Sequence, residues 1–209
     1  MTDLVMASNN AHKIKELAAF LQALCPCDAH GEPFRFRSLK EIGWTAEIVE
    51  DGTTFEENAL IKARTVAALG YIGVADDSGL CVDALHGEPG IYSARYAEGR
   101  GDEANNQKLL KNLQNTPDAE RTAHFVSVIA CVFPDGTELV ARGECPGVIL
   151  RDYRGENGFG YDPLFYYEPL RKTFAEMTAE EKNRVSHRAR AMANFAELFA
   201  EEQKRRTGC

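Results

Sequence analysis

The sequence predicts a mixed α/β protein, and three observations carry that prediction. Short apolar runs such as Leu4–Ala7 and Tyr71–Ala75 alternate with stretches of helical periodicity, the pattern of strands interleaved with helices. A β-rich run over Thr122–Phe133, the turn Pro134-Asp135-Gly136 and a return run over Glu138–Glu144 describe an antiparallel hairpin, so the sheet is mixed rather than purely parallel. The 209 residues are 44% apolar and 27% charged, enough for the core of one large domain or two small lobes. Neither a repeat nor a linker divides the chain, so residues 1–209 are read as one domain.

Taken in order, Leu4–Ala7 is a first strand running into Ser8-Asn9-Asn10-Ala11-His12-Lys13. A helix follows, with Ile14, Leu17, Ala18, Leu21 and Leu24 at helical spacing. A strand, a polar turn and a helix start make a natural anion site, and Lys13 in the first turn adds a point charge. Simple N-capping by Asn10 or Ser8 explains the same residues equally well. The glycine pattern of a P-loop is absent. Residues 25–45 read as a loop with an edge strand at Phe34–Arg37. Thr54 and Glu57 then form a capping box for a helix to Leu69, closed by Gly70. Asn58 and Lys62 share a face of that helix, either as exposed decoration or lining a cleft beside Glu50 and Asp77.

The most informative stretch is Val74-Ala75-Asp76-Asp77-Ser78-Gly79-Leu80. An apolar run ending in two carboxylates is how a buried strand delivers acids to a crevice at its carboxyl end. A solvated turn built from the same Asp, Ser and Gly competes with that reading. Beyond it, Gly87–Tyr96 forms a shaped loop with Arg95 as a candidate phosphate or carboxylate partner. Asp102–Leu113 is an amphipathic helix with Leu109, Leu110 and Leu113 toward the core. Gly155–Pro163 places three glycines around Phe159, which either offers a stacking face or is tucked inward. Thr178 and Glu181 open a last helix, read as unbroken to Gln203, with Val185, Ala189, Met192, Phe195, Ala196 and Phe199 on its apolar side. Lys182, Ser186, His187 and Arg188 in its first third read as a solvated face. Lys204-Arg205-Arg206 complement the dipole at its end.

Charge and composition narrow the function. A net charge of −8 argues against a nucleic-acid partner, since such proteins carry basic faces. An anionic substrate then needs local cations or a divalent metal. No basic segment followed by an apolar core opens the chain, and Phe125–Phe133 is too short to span a bilayer as a helix. A cytoplasmic protein without membrane attachment is expected. The six cysteines include no Cys-x-x-Cys pair and no zinc spacing, and Cys81 and Cys131 are expected to be buried free thiols.

Six stretches together carry a resemblance. They are Ser8–Lys13, Thr53–Ala59, Ala75–Leu80, Gly90–Tyr96, Phe159–Pro163 and Ser186-His187-Arg188. In this order, over nearly the whole chain, they resemble the inosine/xanthosine triphosphate pyrophosphatase family, which clears deaminated purine nucleotides. The resemblance implies a long curved mixed sheet with flanking helices forming two lobes around a central nucleotide cleft, usually in a homodimer. It implies Mg²⁺-dependent cleavage of ITP, dITP and XTP, purine nucleoside triphosphates, to monophosphate and pyrophosphate. Ser8, Asn9, Asn10, Ala11, His12 and Lys13 match the triphosphate-binding segment, with Lys13 on phosphate oxygens. Asp77 matches the general base and metal ligand, Ser78 a substrate contact and Lys62 a cleft lysine. Glu50 matches the other metal-site acid, with Asp51 and Glu47 as neighbours that could be mistaken for it. Phe159, Gly160, Tyr161 and Asp162 match the base-binding loop, and Lys182, His187 and Arg188 match contacts to nucleotide and base. Asp76 is expected to be structural. Two other readings compete: a septum-associated pyrophosphatase acting on modified pyrimidine nucleotides, and a catalytically silent nucleotide sensor. Interface pieces of the dimer are sought in Phe125–Phe133 and Gly87–Tyr96.

Overall fold

The computed structural model describes residues 2–8, 20–22, 27–28 and 31–207. The readings for Asn9, Asn10, Ala11, His12, Lys13 and Cys25, and most of the helix expected after Lys13, lie outside those residues. Seven strands form one sheet: β1 (Thr2–Met6), β2 (Phe34–Ser38), β3 (Ile72–Val82), β4 (Thr122–Val132), β5 (Glu138–Ile149), β6 (Phe165–Tyr167) and β7 (Lys172–Thr173). Their order is β2-β1-β3-β4-β5-β6-β7. β1 pairs in parallel with both β2 and β3, whereas β5, β6 and β7 pair antiparallel, so the sheet is mixed as the hairpin predicted. Phe34 opens the edge strand β2 where the sequence placed it. Four α-helices lie wholly within the described residues: α1 (Phe55–Ala67), α2 (Asp102–Asn112), α3 (Ala179–Val185) and α4 (His187–Thr207); residues 20–22 are helical as well.

By contacts the chain forms two compact units. The first comprises Met1–Asp77, Val128–Gly143 and Ala191–Cys209; the second comprises Ser78–Ser127 and Glu144–Arg190. In the first, Leu4 and Met6 of β1, Val74 of β3, Ile129 of β4 and Phe195 and Phe199 of α4 build the core. In the second, Leu80, Leu109, Phe125, Phe165 and Phe174 do so. The stretch Phe125–Phe133, most of β4 and the residue after it, is at most 8% exposed at each position, so these side chains are buried within the chain and do not offer the dimer surface expected of them. Cys131 is buried as expected, and burial pushes its thiol well above the usual range. Cys81 is only half-buried.

The second helix start shows both halves of its capping box, Thr178 accepting from Glu181 N–H at 3.2 Å and Glu181 accepting from Thr178 N–H at 3.0 Å. At α1 only one half forms. Thr54 accepts from Glu57 N–H at 3.1 Å, but the Glu57 carboxylate takes the Thr53 N–H at 2.6 Å and the Thr53 hydroxyl at 2.8 Å. Two donors on one residue hold a carboxylate better than one, and they keep Glu57 below the ordinary carboxylate range.

Three further expectations are corrected. β3 does not end at the acids but runs on to Val82, so Asp76-Asp77-Ser78-Gly79 sit mid-strand rather than in a turn. The final helix is broken: Ser186 is extended at φ −67°, ψ 156°, separating α3 from α4. Its hydroxyl accepts from Ala189 N–H at 3.2 Å, so Ser186 caps a new helix rather than continuing the old one. The basic residues at the helix end do more than complement the dipole, since Arg205 and Arg206 pair with Glu202, and Arg206 also pairs with Asp135.

One glycine sets the distance between α1 and β3. A Cβ on Gly73 would stand 2.2 Å from the Ala63 carbonyl oxygen and 2.9 Å from Val66 Cβ, so the helix lies directly on the strand backbone. Neither the oxygen of a helix backbone nor a core valine can step aside cheaply. Gly73→Ala is expected to destabilise the protein by about 3 kcal/mol, or roughly 6–12 °C in melting temperature for a chain this long. An unchanged thermal melt would mean that the helix is not held at this distance.

Candidate active site

The close approach at Gly73 brings one face of α1 onto the acidic part of β3. Asn58 and Lys62, one turn apart, are both buried at 0% and 9% exposure and are not surface decoration. Lys62 Nζ donates to the Asp76 carbonyl oxygen at 2.7 Å. The same ammonium stands 3.2 Å from Glu50 Oε1 and 3.8 Å from Asp77 Oδ1. Two carboxylates therefore converge on one ammonium and outnumber it, leaving a net negative pocket of oxygen donors. Of the three neighbouring acids, Glu50 meets Lys62, while Glu47 and Asp51 are exposed. Asp76 contributes its backbone to this cluster, and its side chain is buried at 8% exposure. Adjacent residues of a strand send their side chains to opposite faces, so the two aspartates are not equivalent.

The donor set suits a hard divalent cation. Glu50 and Asp77 supply carboxylate oxygens that already gather around a positive charge, the ligand chemistry that Mg²⁺ takes in preference to sulfur or imidazole. Among the described residues no group of three or more His, Cys, Asp or Glu side chains is placed to hold a metal by itself. Two carboxylates completed by water and substrate phosphate is the usual arrangement for Mg²⁺, which rarely has a full cage of protein ligands.

A second cluster lies within the second unit. Lys182 of α3 makes an ion pair with Asp162 at 2.5 Å, its Nζ lying 4.9 Å from the Phe159 ring centroid and 5.3 Å from that of Phe174. Asp162 is 2% exposed and also accepts from Phe159 N–H at 2.9 Å. This geometry depends on Gly158, whose φ is +80° and whose added Cβ would meet Asp162 Oδ2 at 2.1 Å. Phe159 itself is 61% exposed, so its ring is a presented face rather than an inward anchor. His187 is buried and stacks on Phe125 at 4.7 Å between centroids. Arg188 beside it is half-buried. Of the polar residues in this first third, Lys182 and His187 thus pack on aromatic rings and Ser186 is buried, so they do not form a solvated face.

The loop is held by groups that the sequence did not single out. α2 grips Gly160 by both of its backbone polar groups: Asp102 accepts from Gly160 N–H at 2.7 Å, and Asn106 Nδ2 donates to the Gly160 carbonyl at 2.8 Å. The Tyr161 hydroxyl donates to the Ser93 carbonyl at 2.8 Å, and burial pushes that hydroxyl well above its ordinary range. Ser93 in turn accepts from Leu80 N–H at 2.8 Å. The polar spacing of Asp102 and Asn106, one turn apart at a helix start, was the one available signal. Ser8 follows β1, half-buried, and Ser78 adjoins Asp77 on β3, also half-buried. Arg95 lies 5.2 Å from the Tyr92 ring centroid.

Comparison with known proteins places these clusters in context. A sequence model described as the Ham1 family matches residues 4–198. A dITP/XTP pyrophosphatase of Leuconostoc mesenteroides is 52% identical over 192 residues, covering 90% of this chain and 92% of the relative. One of Pseudomonas aeruginosa is 52% identical over 196 residues, covering 92% and 94%. The solved Ham1 protein of Staphylococcus aureus superposes with a TM-score of 0.86 at 42% identity, covering 96% of this chain and all of that one.

Proposed function

The chain belongs to the Ham1 family, and from that premise we propose that it hydrolyses the deaminated purine nucleoside triphosphates ITP, dITP and XTP to monophosphate and pyrophosphate. The observation that carries the chemistry is the convergence of Glu50 and Asp77 on Lys62. Cleavage between the α and β phosphates needs a water in line with the leaving pyrophosphate, charge neutralisation, and a carboxylate that orients the water and takes its proton. Asp77 has that last role, and the resemblance assigns it there. Lys62 offsets the charge that builds on the phosphoryl oxygens, and Lys13, outside the described residues, is assigned to the same task. Glu50 and Asp77 would hold Mg²⁺, which when bound supplies further neutralisation of the transferring phosphoryl group.

Recognition of the base is assigned to Phe159, Gly160, Tyr161, Asp162, Lys182, His187 and Arg188, with Ser8, Asn9, Asn10, Ala11, His12 and Ser78 on the rest of the nucleotide. Hypoxanthine and xanthine present a 6-oxo acceptor where adenine presents an amino donor, so cationic donors favour the deaminated base. The aromatic surroundings of Lys182 support this, because a donor flanked by rings meets a planar base with little competing water. A homodimeric cytoplasmic enzyme acting as one domain, without nucleic-acid or membrane partners, completes the proposal.

Product analysis tests it. With Mg²⁺ present, ITP, dITP and XTP are expected to release pyrophosphate at rates at least about 100-fold above ATP, in keeping with discrimination by hydrogen bonding to a substrate group; GTP shares the 6-oxo group, so its rejection rests on its 2-amino group instead. Orthophosphate as the first product would overturn the cleavage site. A preference for a pyrimidine triphosphate would favour the septum-associated reading, and binding without turnover would favour a sensor.

A further inference from the structure

Glu50 belongs to no helix or strand, so something must fix its carboxylate beside Lys62. Helix α1 supplies the restraint through the three residues that follow the Glu50-Asp51 pair. Asn58 Oδ1 accepts from Gly52 N–H at 3.0 Å. Glu57 takes both Thr53 donors, and Thr54 is the N-cap. Of these links the one nearest Glu50 is that of Asn58. Its side chain is fully buried, and its Nδ2 has no hydrogen-bond partner among the described residues. A buried amide that leaves its own donor unsatisfied forfeits part of the stability that a fully paired amide would give. What the amide does achieve is the grip of its oxygen on Gly52. The fit there is tight: a Cβ on Gly52 would lie 2.7 Å from Asn58 Oδ1 and 2.7 Å from Glu57 Cβ.

We infer that Asn58 is a positioning residue of the phosphate-cleaving cluster, clamping the Gly52 N–H so that the Glu50 carboxylate is presented beside Lys62. The inference rests on the proposed role of Glu50 as a metal-site acid. Asn58 lies on the same helix face as Lys62, so one rigid element sets both partners of the Glu50–Lys62 pair. It touches no reacting atom and acts through Glu50 alone.

The test compares wild type, Asn58→Ala, Glu50→Gln and the double variant. Two readouts are taken: Mn²⁺ binding without nucleotide, followed by electron paramagnetic resonance, and the Mg²⁺ concentration giving half-maximal ITP hydrolysis. Loss of a group that orients a metal ligand typically costs roughly 10–100-fold in affinity, so Asn58→Ala should weaken both by about tenfold or more. In the Glu50→Gln background it should add nothing, because the residue it positions is already disabled. Gly52→Ala, which pushes against the same clamp from outside helix and strand, should reproduce the Asn58→Ala shift and serves if that variant does not fold. Unchanged metal binding in both Asn58→Ala and Gly52→Ala, with Glu50→Gln impaired, would overturn the positioning role while leaving Glu50 in place. The positioning role falls equally if Asn58→Ala weakens the Glu50→Gln protein by as much as it weakens wild type. Unchanged metal binding in Glu50→Gln would remove Glu50 from the metal site and bring down the underlying reading together with the inference.

Discussion

Asp77→Asn is expected to lower kcat for ITP hydrolysis by about 10³-fold or more while leaving the melting temperature within a few degrees of wild type. The removed group is asked to orient water, accept its proton and share the metal, and general-base catalysis alone is worth roughly 10²–10⁴-fold. The replacement is nearly isosteric, and the side chain is partly open to solvent at 15%, so packing is preserved. It also removes the cluster's excess negative charge, since Lys62 keeps Glu50 at 3.2 Å and loses its second carboxylate, so a divalent cation is attracted less strongly. Asp76→Asn should behave differently, because the bond from Lys62 reaches the Asp76 backbone and not its carboxylate. Single-turnover measurements of pyrophosphate release separate the two. Near-normal turnover in Asp77→Asn would move the base elsewhere, with Asp76 the first candidate.

The second large effect is expected at Asp162. Asparagine there leaves Lys182 without its carboxylate partner, in a setting where two aromatic rings replace water. Breaking a buried ion pair from one side costs about 3–5 kcal/mol, chiefly because the surviving charge stays desolvated; Lys182 keeps some solvent contact, so the lower end applies. Asp162→Asn should therefore lose roughly 3 kcal/mol in denaturant unfolding, and the selectivity for ITP over ATP should fall by at least tenfold. The double variant Asp162→Asn/Lys182→Met distinguishes fold from function. It removes both charges, so stability should return most of the way, while selectivity should not, because the cationic donor is gone. Recovery of both together would mean that Lys182 has no part in reading the base.

How far these sites were legible in the sequence differs from residue to residue. Local chemistry was readable: the hydroxyl and acid three residues apart at Thr178 and Glu181 gave a helix start, and Pro134-Asp135-Gly136 gave the hairpin turn, with Gly136 at φ +87°. The acidic stretch was misplaced because Asp, Ser and Gly speak for a turn, and the pairing that keeps β3 extended through them comes from distant strands. The break at Ser186 carries neither Gly nor Pro, and only the cap formed with Ala189 reveals it. Asn58 could be read either as decoration or as cleft lining, because burial of a polar side chain is decided by what packs over it. The Lys182–Asp162 pair spans 20 residues, and the stack of His187 on Phe125 spans 62, separations at which no periodicity speaks. Which of the three neighbouring acids stands beside Lys62 could not be read from the sequence, and the structure puts Glu50 there.

The start of α4 has a consequence for anyone wishing to make this protein more robust. His187 and Arg188 occupy the first turn of a 21-residue helix, where the backbone's own field favours acids. A design procedure scoring thermal tolerance would find this turn immediately and write Asp or Glu into it. The helix would gain a little, and the histidine and arginine assigned to the nucleotide would be gone. The safer places to strengthen the fold lie at the other end of the same helix, where Arg205, Arg206 and Asp135 already form an ion-pair network around and beside the buried Glu202, within the first unit.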